Sequence, residues 1–387
     1  MDKVRYGIVG MGNMGSGHAK NLMEGKIENA YLAAACDINP DKLTTYKENG
    51  IATFTDVEEM YKSGLIDCVI ISVPHYLHPP FAIKAFENGI HAIVEKPTGV
   101  YTKQVKEMNE AAKKSGLIFS GMFNMRTDPV FKEMKALVES GELGEIKRTN
   151  WIMTAWYRSQ SYYDSGTWRA TWAGEGGGVL FNQCPHNLDL FMWITGLIPK
   201  KVTSKCYFGK WHDIEVEDDV TVFVEYENGA TGVVVSSTGD APGTNRFEIL
   251  GDKGKLVFDG SSYSFYKNAV SEREFNKTFK GGFGEPEWTV TQSDKKVCYA
   301  VQHAAVVQNV TNAILGTEEL YIHGEEGINQ CMFADAILLS AWQDRTVEMP
   351  IDDEEYWTEL QKRIKTSKIK TGSDTLLGLG NSFISSK

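Results

Sequence analysis

The stretch GIVGMGNMG, residues 7–15, decides how this chain is read. It sets Gly10, Gly12 and Gly15 in the spacing G-x-G-x-x-G, directly after the chain's first apolar run, VRYGIVG. A strand that turns sharply into a helix uses one glycine for the turn, one to let backbone approach a pyrophosphate, and one for close helix packing. Any tight turn could use glycines, so the fingerprint also requires an acid about 20 residues on, at the end of the next strand. Asp37 in LAAACDINP meets it, 22 residues after Gly15. An acid there accepts hydrogen bonds from ribose hydroxyls and repels a 2′-phosphate. It is followed by Ile38, with no arginine in the next few residues, so NAD is expected rather than NADP.

Outward from that turn, residues 4–122 alternate short apolar runs with amphipathic stretches. VRYGIVG, AYLAAACD, DCVIISVP, HAIVEKP and LIFSGMF are separated by segments such as PPFAIKAFENG and TKQVKEMNEAAKKSG. Strands apolar throughout, with helices between them, predict a parallel sheet covered on both faces. The first half is therefore expected to be a doubly wound α/β domain of the Rossmann type, residues 1–124.

The rhythm then changes. TSKCYFG, DVTVFVEYENGATGVVVSST, RFEILGDKGKLVFDG and SFYKNAV alternate polar and apolar residues and are broken by ENG and DKG turns. That pattern predicts antiparallel hairpins. With helical patterns around them, they predict a second α/β domain over residues 125–365, built on a large open, mainly antiparallel sheet. A Gly/Ser-containing tail, 366–387, follows.

Composition narrows the classes of function. The 387 residues carry a formal charge of -11, which disfavours nucleic acid or an anionic membrane as partner. No apolar run is long enough to span a bilayer. The six cysteines, Cys36, Cys68, Cys184, Cys206, Cys298 and Cys331, form no C-x-x-C pair and no metal-ligand spacing, so reduced thiols and no metal are expected. MDKVRYGIVGMG runs straight into a strand without the parts of a signal peptide, and a cytoplasmic location is the expectation.

Three further motifs carry candidate chemistry. VIISVPHYLHPP places His75 and His78 where strand ends form a cofactor crevice. HAIVEKP ends on Glu95, Lys96 and Pro97, and burial of a lysine at such a strand end lowers its pKa toward proton transfer. GGGVLFNQCPHNLDL, residues 176–190, runs three glycines into a helix opened by His186. Taken alone, that histidine reads rather as a core residue held by backbone, and Lys96 as a solvated strand end.

The order of these motifs resembles the glucose-fructose oxidoreductase and inositol dehydrogenase family. The likeness continues through VEDDVTVFVEYENGATGVVVSS, FEILGDKGKLVF and GEEGINQCMFADAILLSAWQDRTVEMP, covering nearly the whole chain. The resemblance implies an NAD-dependent enzyme that oxidises or reduces a carbon of a sugar, cyclitol or glycoside. It implies that Lys96 reaches the substrate hydroxyl, with a cis bond to Pro97, and that His186 is the acid or base beside it. It also implies a homo-oligomer packed through the open sheet. Around the cofactor it points to Gly10, Gly12, Asn13, Met14, Gly15, Asp37, Val73, Pro74, His78, Glu95, Lys96, Asn124 and Arg169.

The chain departs from the inositol dehydrogenase branch at one position. That branch has an aspartate four residues before the histidine; here Asn182 stands there. An amide orients a hydroxyl but takes no proton, so Lys96 and His186 would share the proton work. Substrate contacts are expected from WIMTAWYRSQSYYDSGTWRATWAGE, residues 151–175, where Trp156, Tyr157, Arg158, Tyr162, Trp168, Arg169 and Trp172 could stack on a sugar face and bond its hydroxyls. The same aromatics could equally mate subunits. Arg126 and Asn124 are candidates for the cofactor mouth or for interdomain bonds. The branch is similar to dehydrogenases of secondary ring hydroxyls, including C3 of glucosides. Three alternatives stay open: an NAD-dependent glycosidase working by transient C3 oxidation, an inositol dehydrogenase, and a non-catalytic NAD-binding sensor.

Overall fold

The computed structural model describes residues 2–368 and 370, which fold around two sheets. The first contains β1 (Val4–Val9), β2 (Ala30–Cys36), β3 (Ala52–Phe54), β4 (Cys68–Ile71), β5 (His91–Val94) and β6 (Phe119–Gly121). All its neighbours are parallel, in the order β3-β2-β1-β4-β5-β6. The chain leaves β1 for β2 on one side and returns to β4 on the other. That change of direction opens a crevice at the carboxyl ends of β1 and β4, where a Rossmann sheet takes its ligand.

Both faces of this sheet are buried, as its unbroken apolar runs require. Val69, Ile71, Ala92 and Val94 pack on the helices His78–Glu87 and Thr102–Ser115. Val4, Tyr6, Ile8, Ile70 and Ile93 pack on Asn13–Met23 and on a helix from far along the chain, Gln302–Leu315, through Val306, Val307 and Val310. The Tyr6 hydroxyl bonds Thr311 Oγ1 at 2.9 Å inside that contact.

The second sheet contains β7 (Ile146–Met153), β8 (Lys201–Phe208), β9 (Glu217–Glu225), β10 (Thr231–Ser237), β11 (Asn245–Gly251), β12 (Gly254–Phe258), β13 (Tyr263–Asn268), β14 (Trp288–Gln292) and β15 (Val347–Glu348). Its order is β14-β13-β12-β11-β7-β10-β9-β8-β15, antiparallel throughout except for the parallel pair β7 and β10. The sheet is thus mixed and mostly antiparallel, with the ENG and DKG turns closing β9–β10 and β11–β12. Val220, Val222 and Val224 on β9 and Trp151 on β7 face inward, while Phe223 and Ile152 on the alternate positions stay exposed. The inner face packs against Pro185–Thr195 and Gly327–Gln343.

Two polar contacts fix the helices at the joint between the halves. Asp335 of Gly327–Gln343 accepts from Thr102 N at 2.8 Å and Thr102 Oγ1 at 2.7 Å, capping a helix whose own N-cap, Tyr101, offers no side-chain bond. Arg126 clasps Asp189 with two bonds, 2.8 and 2.6 Å, and reaches Glu326. Among the described residues no helix is long and apolar enough to cross a membrane. Of the expected tail, Lys370 donates to Tyr163 O at 2.9 Å; residues 369 and 371–387 lie outside the described residues.

Candidate active site

The glycine turn shows why each position is glycine. Gly10 has φ +89°, and a Cβ there would collide with Ser72 O at the end of β4. A Cβ at Gly15 would strike Gly10 O, whereas Gly12 faces open space. Gly12 caps Asn13–Met23 without a side-chain bond, which leaves first-turn N–H groups free for an anion. At the end of β2, Asp37 Oδ2 accepts from Met11 N at 2.8 Å and Oδ1 from Asn39 N at 2.9 Å, with the Lys42 ammonium 3.5 Å away.

These groups line a cleft of about 530 Å³, together with Asn13, Met14, Val73 and Pro74. A volume of that order suits a cofactor site. The open side of Gly12, the uncapped helix start and the acid at the end of β2 fit the pyrophosphate and adenosine ribose of NAD.

The far end of the cleft is formed by Glu95 and Lys96, just past β5. The Lys96–Pro97 peptide is cis. His78 holds this corner from the opposite loop: its Nδ1 lies 2.7 Å from Pro97 O and its Nε2 2.8 Å from Val73 O. Glu95 is paired at 2.8 Å with buried His18 of the glycine-turn helix. Burial opposes the Glu95 charge, but His18 prevails and holds the carboxyl at about 2. Lys96 Nζ donates to Asn182 O at 2.7 Å. Burial holds its ammonium below the usual lysine range, and Arg169 presses it further down against the pull of Glu95 and Glu175.

Asn182 belongs to the glycine run, which the second sheet fixes in place. Glu217 of β9 accepts from Gly178 N at 2.8 Å and Leu180 N at 3.0 Å, and a Cβ at Gly178 would collide with the Glu217 carbonyl. The run then enters Pro185–Thr195, whose second residue is His186. His186 is 7% exposed, and its Nδ1 has no hydrogen-bond partner among the described residues. Burial first, then the charges of Lys96 and His303, push its pKa well below the ordinary histidine value. The imidazole is neutral at neutral pH and able to accept a proton.

Around Asn182 lies a network that the sequence did not announce. Its amide donates to Glu175, and its Oδ1 accepts from the Tyr162 hydroxyl at 3.1 Å. Tyr162 in turn accepts from Arg169 Nη1 at 3.0 Å and Gln183 Nε2 at 3.2 Å. Glu175 also accepts from Ala170 N at 2.6 Å, and burial raises its pKa despite Arg169, Asn182 and Lys96. The only hint of Glu175 in sequence was an acid directly before three glycines.

The structure thus brings Gly10, Gly12, Asn13, Met14, Asp37, Val73, Pro74, His78, Glu95, Lys96, Trp168, Arg169 and Asn182 to one cleft. Gly15 packs beneath the turn, and His186 lies within reach of the Lys96 charge. His75, placed by its sequence position at the crevice beside His78, lines the same cleft, with Nδ1 3.1 Å from Glu175 O. Tyr157 and Arg158 do not line it. Tyr157 is 52% exposed, and Arg158 lies over the Tyr162 ring, 5.2 Å from its centre. Of the two readings of Asn124, cofactor mouth or interdomain bond, the structure shows the second: it is buried, and its amide donates to Gln302 Oε1 at 2.8 Å in the joint with Gln302–Leu315. Arg126 is likewise spent on Asp189 and Glu326.

Residues 4–123 match the family model described as "Oxidoreductase family, NAD-binding Rossmann fold", and residues 131–257 match the GFO/IDH/MocA C-terminal domain. The chain belongs to the GFO/IDH/MocA oxidoreductase family. Its first domain binds NAD, and the protein is an oxidoreductase. Among its relatives, the scyllo-inositol 2-dehydrogenase (NAD(+)) of Bacillus subtilis is 26% identical over 84% of this chain and 92% of its own length. The levoglucosan dehydrogenase of Pseudarthrobacter phenanthrenivorans is 26% identical over 74% and 80%. Among solved structures, the WlbA dehydrogenase of Bordetella pertussis in complex with NADH and UDP-GlcNAcA superposes with a TM-score of 0.74 at 25% identity, over 90% of this chain and all of that one. In this GFO/IDH/MocA protein the two family domains meet where Lys96 of the first bonds Asn182 of the second.

Proposed function

We propose that this protein moves a hydride between NAD and a secondary ring hydroxyl of a sugar or glycoside, with C3 of a glucoside as the leading position. The observation that carries the reading is the bond from Lys96 to the glycine-histidine segment, made at the end of a cleft that begins at the nucleotide turn. Family membership and relatives named for inositol and levoglucosan oxidation support it. NAD, when bound, supplies the hydride acceptor. The chain's own residues handle position and protons. Lys96 spends one N–H on Asn182 O and keeps others for a ligand oxygen, where its cation steadies a developing alkoxide. Neutral His186, whose pKa burial holds well below the ordinary histidine value, takes the hydroxyl proton directly or through Lys96.

The test is incubation of the pure protein with NAD and a panel of glucose, inositols and glucosides, following NADH absorbance and identifying products by NMR. A keto sugar formed in step with NADH is expected. Cleaved glycoside without NADH would move the protein to the NAD-dependent glycosidases, and neither product across the panel would sink the reading. The same proposal includes a homo-oligomer docked through the open sheet, whose outer face exposes Ile152, Tyr207 and Phe223. Light scattering should show more than one subunit, and Phe223→Asp should weaken the assembly.

A further inference from the structure

We propose that the sugar this site accepts carries a carboxylate, and that Arg158 and Arg169 recognise it. This rests on reading the Lys96 cleft as a sugar site. The chain has nine arginines, and six of them pair with carboxylates within the protein. Among the described residues three make no ion pair: Arg148, exposed on β7, and Arg158 and Arg169. The last two share one ring. Their guanidinium carbons lie 5.2 and 4.9 Å from the centre of Tyr162, whose hydroxyl bonds Asn182, the residue that also accepts from Lys96.

Lys96 and Arg169 line the cleft, and Arg158, set behind Tyr162 outside the lining, adds a third cation close enough to act on Lys96, on a protein of charge -11. The nearby acids are already engaged: Glu95 with His18, and Glu175 with Asn182 and Ala170 N. Grouped cations repel one another, and Arg158 and Arg169 both oppose the Lys96 charge. An arriving anion relieves that repulsion, and the planar guanidinium fork matches a carboxylate. Phosphate sites usually recruit backbone N–H groups as well. Here three of the neighbouring ones are taken: Arg158 N by Thr238 O, Ala170 N by Glu175 and Trp172 N by Glu215. A carboxylate held by side chains fits this arrangement better than a phosphate.

The experiment compares methyl glucuronide with methyl glucoside, which share ring hydroxyls and differ only at C6, using full-length protein with NAD. The expected result is a kcat/KM about ten- to hundredfold higher for the uronide, expressed in KM, as charge-assisted bonds give. That preference should shrink between about 0.05 and 0.3 M salt as the charges are screened. It should collapse toward unity in Arg158→Gln and be partly kept in Arg158→Lys. Tryptophan fluorescence titrated with glucuronate and glucose reads the same ratio without turnover or a variant. Equal use or equal binding of the two sugars, or a preference for glucose 6-phosphate, overturns the proposal. NADH formed from any of them leaves the dehydrogenase reading standing. Selective glucuronate binding without NADH supports the carboxylate site and counts against that reading instead.

Discussion

Lys96 and His186 are each depressed by burial; the charge of Lys96 further disfavours a cation at His186, and Arg169 and Arg158 further disfavour one at Lys96. The consequence is a pH profile. Because the His186 pKa lies well below 6.5, the acid limb of kcat/KM for oxidation should fall below pH 6.5. A limb above pH 7 would remove His186 as the base. Lys96→Met should lower kcat about 10²- to 10⁴-fold, the usual worth of a positioned proton-transfer group, while NAD still binds in a fluorescence titration. Asp37 supports a second prediction. It bars a 2′-phosphate by charge, yet Lys42 stands 3.5 Å from it. Asp37→Ser should shift the KM ratio toward NADP by about tenfold or more, since one unfavourable charge is removed and one cation freed. An unchanged ratio would show that the ribose is read elsewhere. The places of Asp37 and the turn glycines were legible in sequence because they follow from local order along one strand and its turn, whereas Lys96, taken alone, read as a solvated strand end and was singled out only by the family resemblance. Glu175 and Tyr162 were not legible, because their partners are set by how a loop doubles back on Asn182. Asn124 left two readings open in sequence, the cofactor mouth or an interdomain bond, and only the distant helix that supplies Gln302 decides for the second.

At the scale of elements, the glycine run and β9 act as one unit. Glu217 bonds two of the run's N–H groups with Oε1, while Oε2 has no partner among the described residues. Burial pushes its carboxyl from 4.5 up to about 8. The sign follows. The unfolded chain releases this proton near pH 4.5 and the folded protein keeps it, so stability is full below about 4.5 and falls as pH rises toward 8. Asp335, also raised to about 8, adds a slope of the same sign. Glu217→Gln keeps the acceptor and drops the titration, so denaturant unfolding should show a flatter loss of stability between pH 5 and 8. An identical slope in both proteins would refute the buried proton. Gly178→Ala, by contrast, drives a methyl into the Glu217 carbonyl and should cost about 3 kcal/mol, read as a lower Tm. The elements themselves were mostly legible, since period-two alternation and turn chemistry are local. β7 was not: Lys147, Arg148 and Asn150 break up its apolar pattern, and only its parallel partner β10 makes it the middle of the sheet.

For the whole molecule, periodicity located the helix Gln302–Leu315 but could not say which sheet it covers. It covers the nucleotide-binding one, across more than half the chain, with Val306, Val307 and Val310 against Tyr6 and Ile8. The Rossmann half is therefore continuous in its strands but not in its core. Cutting the chain after residue 124 removes one wall of that core and uncovers Val4, Tyr6, Ile8 and Ile70, all fully buried in the intact protein. A fragment of residues 1–124 should then show no cooperative thermal transition and no NAD binding, since the apolar face it exposes was the source of its stability. In the full chain, Val310→Asp places a carboxylate in the same contact and should cost about 3 kcal/mol or more. The two measurements check each other. If the fragment melts cooperatively and binds NAD as the full chain does, the returning helix is dispensable, and Val310→Asp should then leave cofactor affinity untouched. If the fragment fails and Val310→Asp weakens NAD binding along with stability, the helix holds β1, and through it the glycine turn, in the form that meets the cofactor.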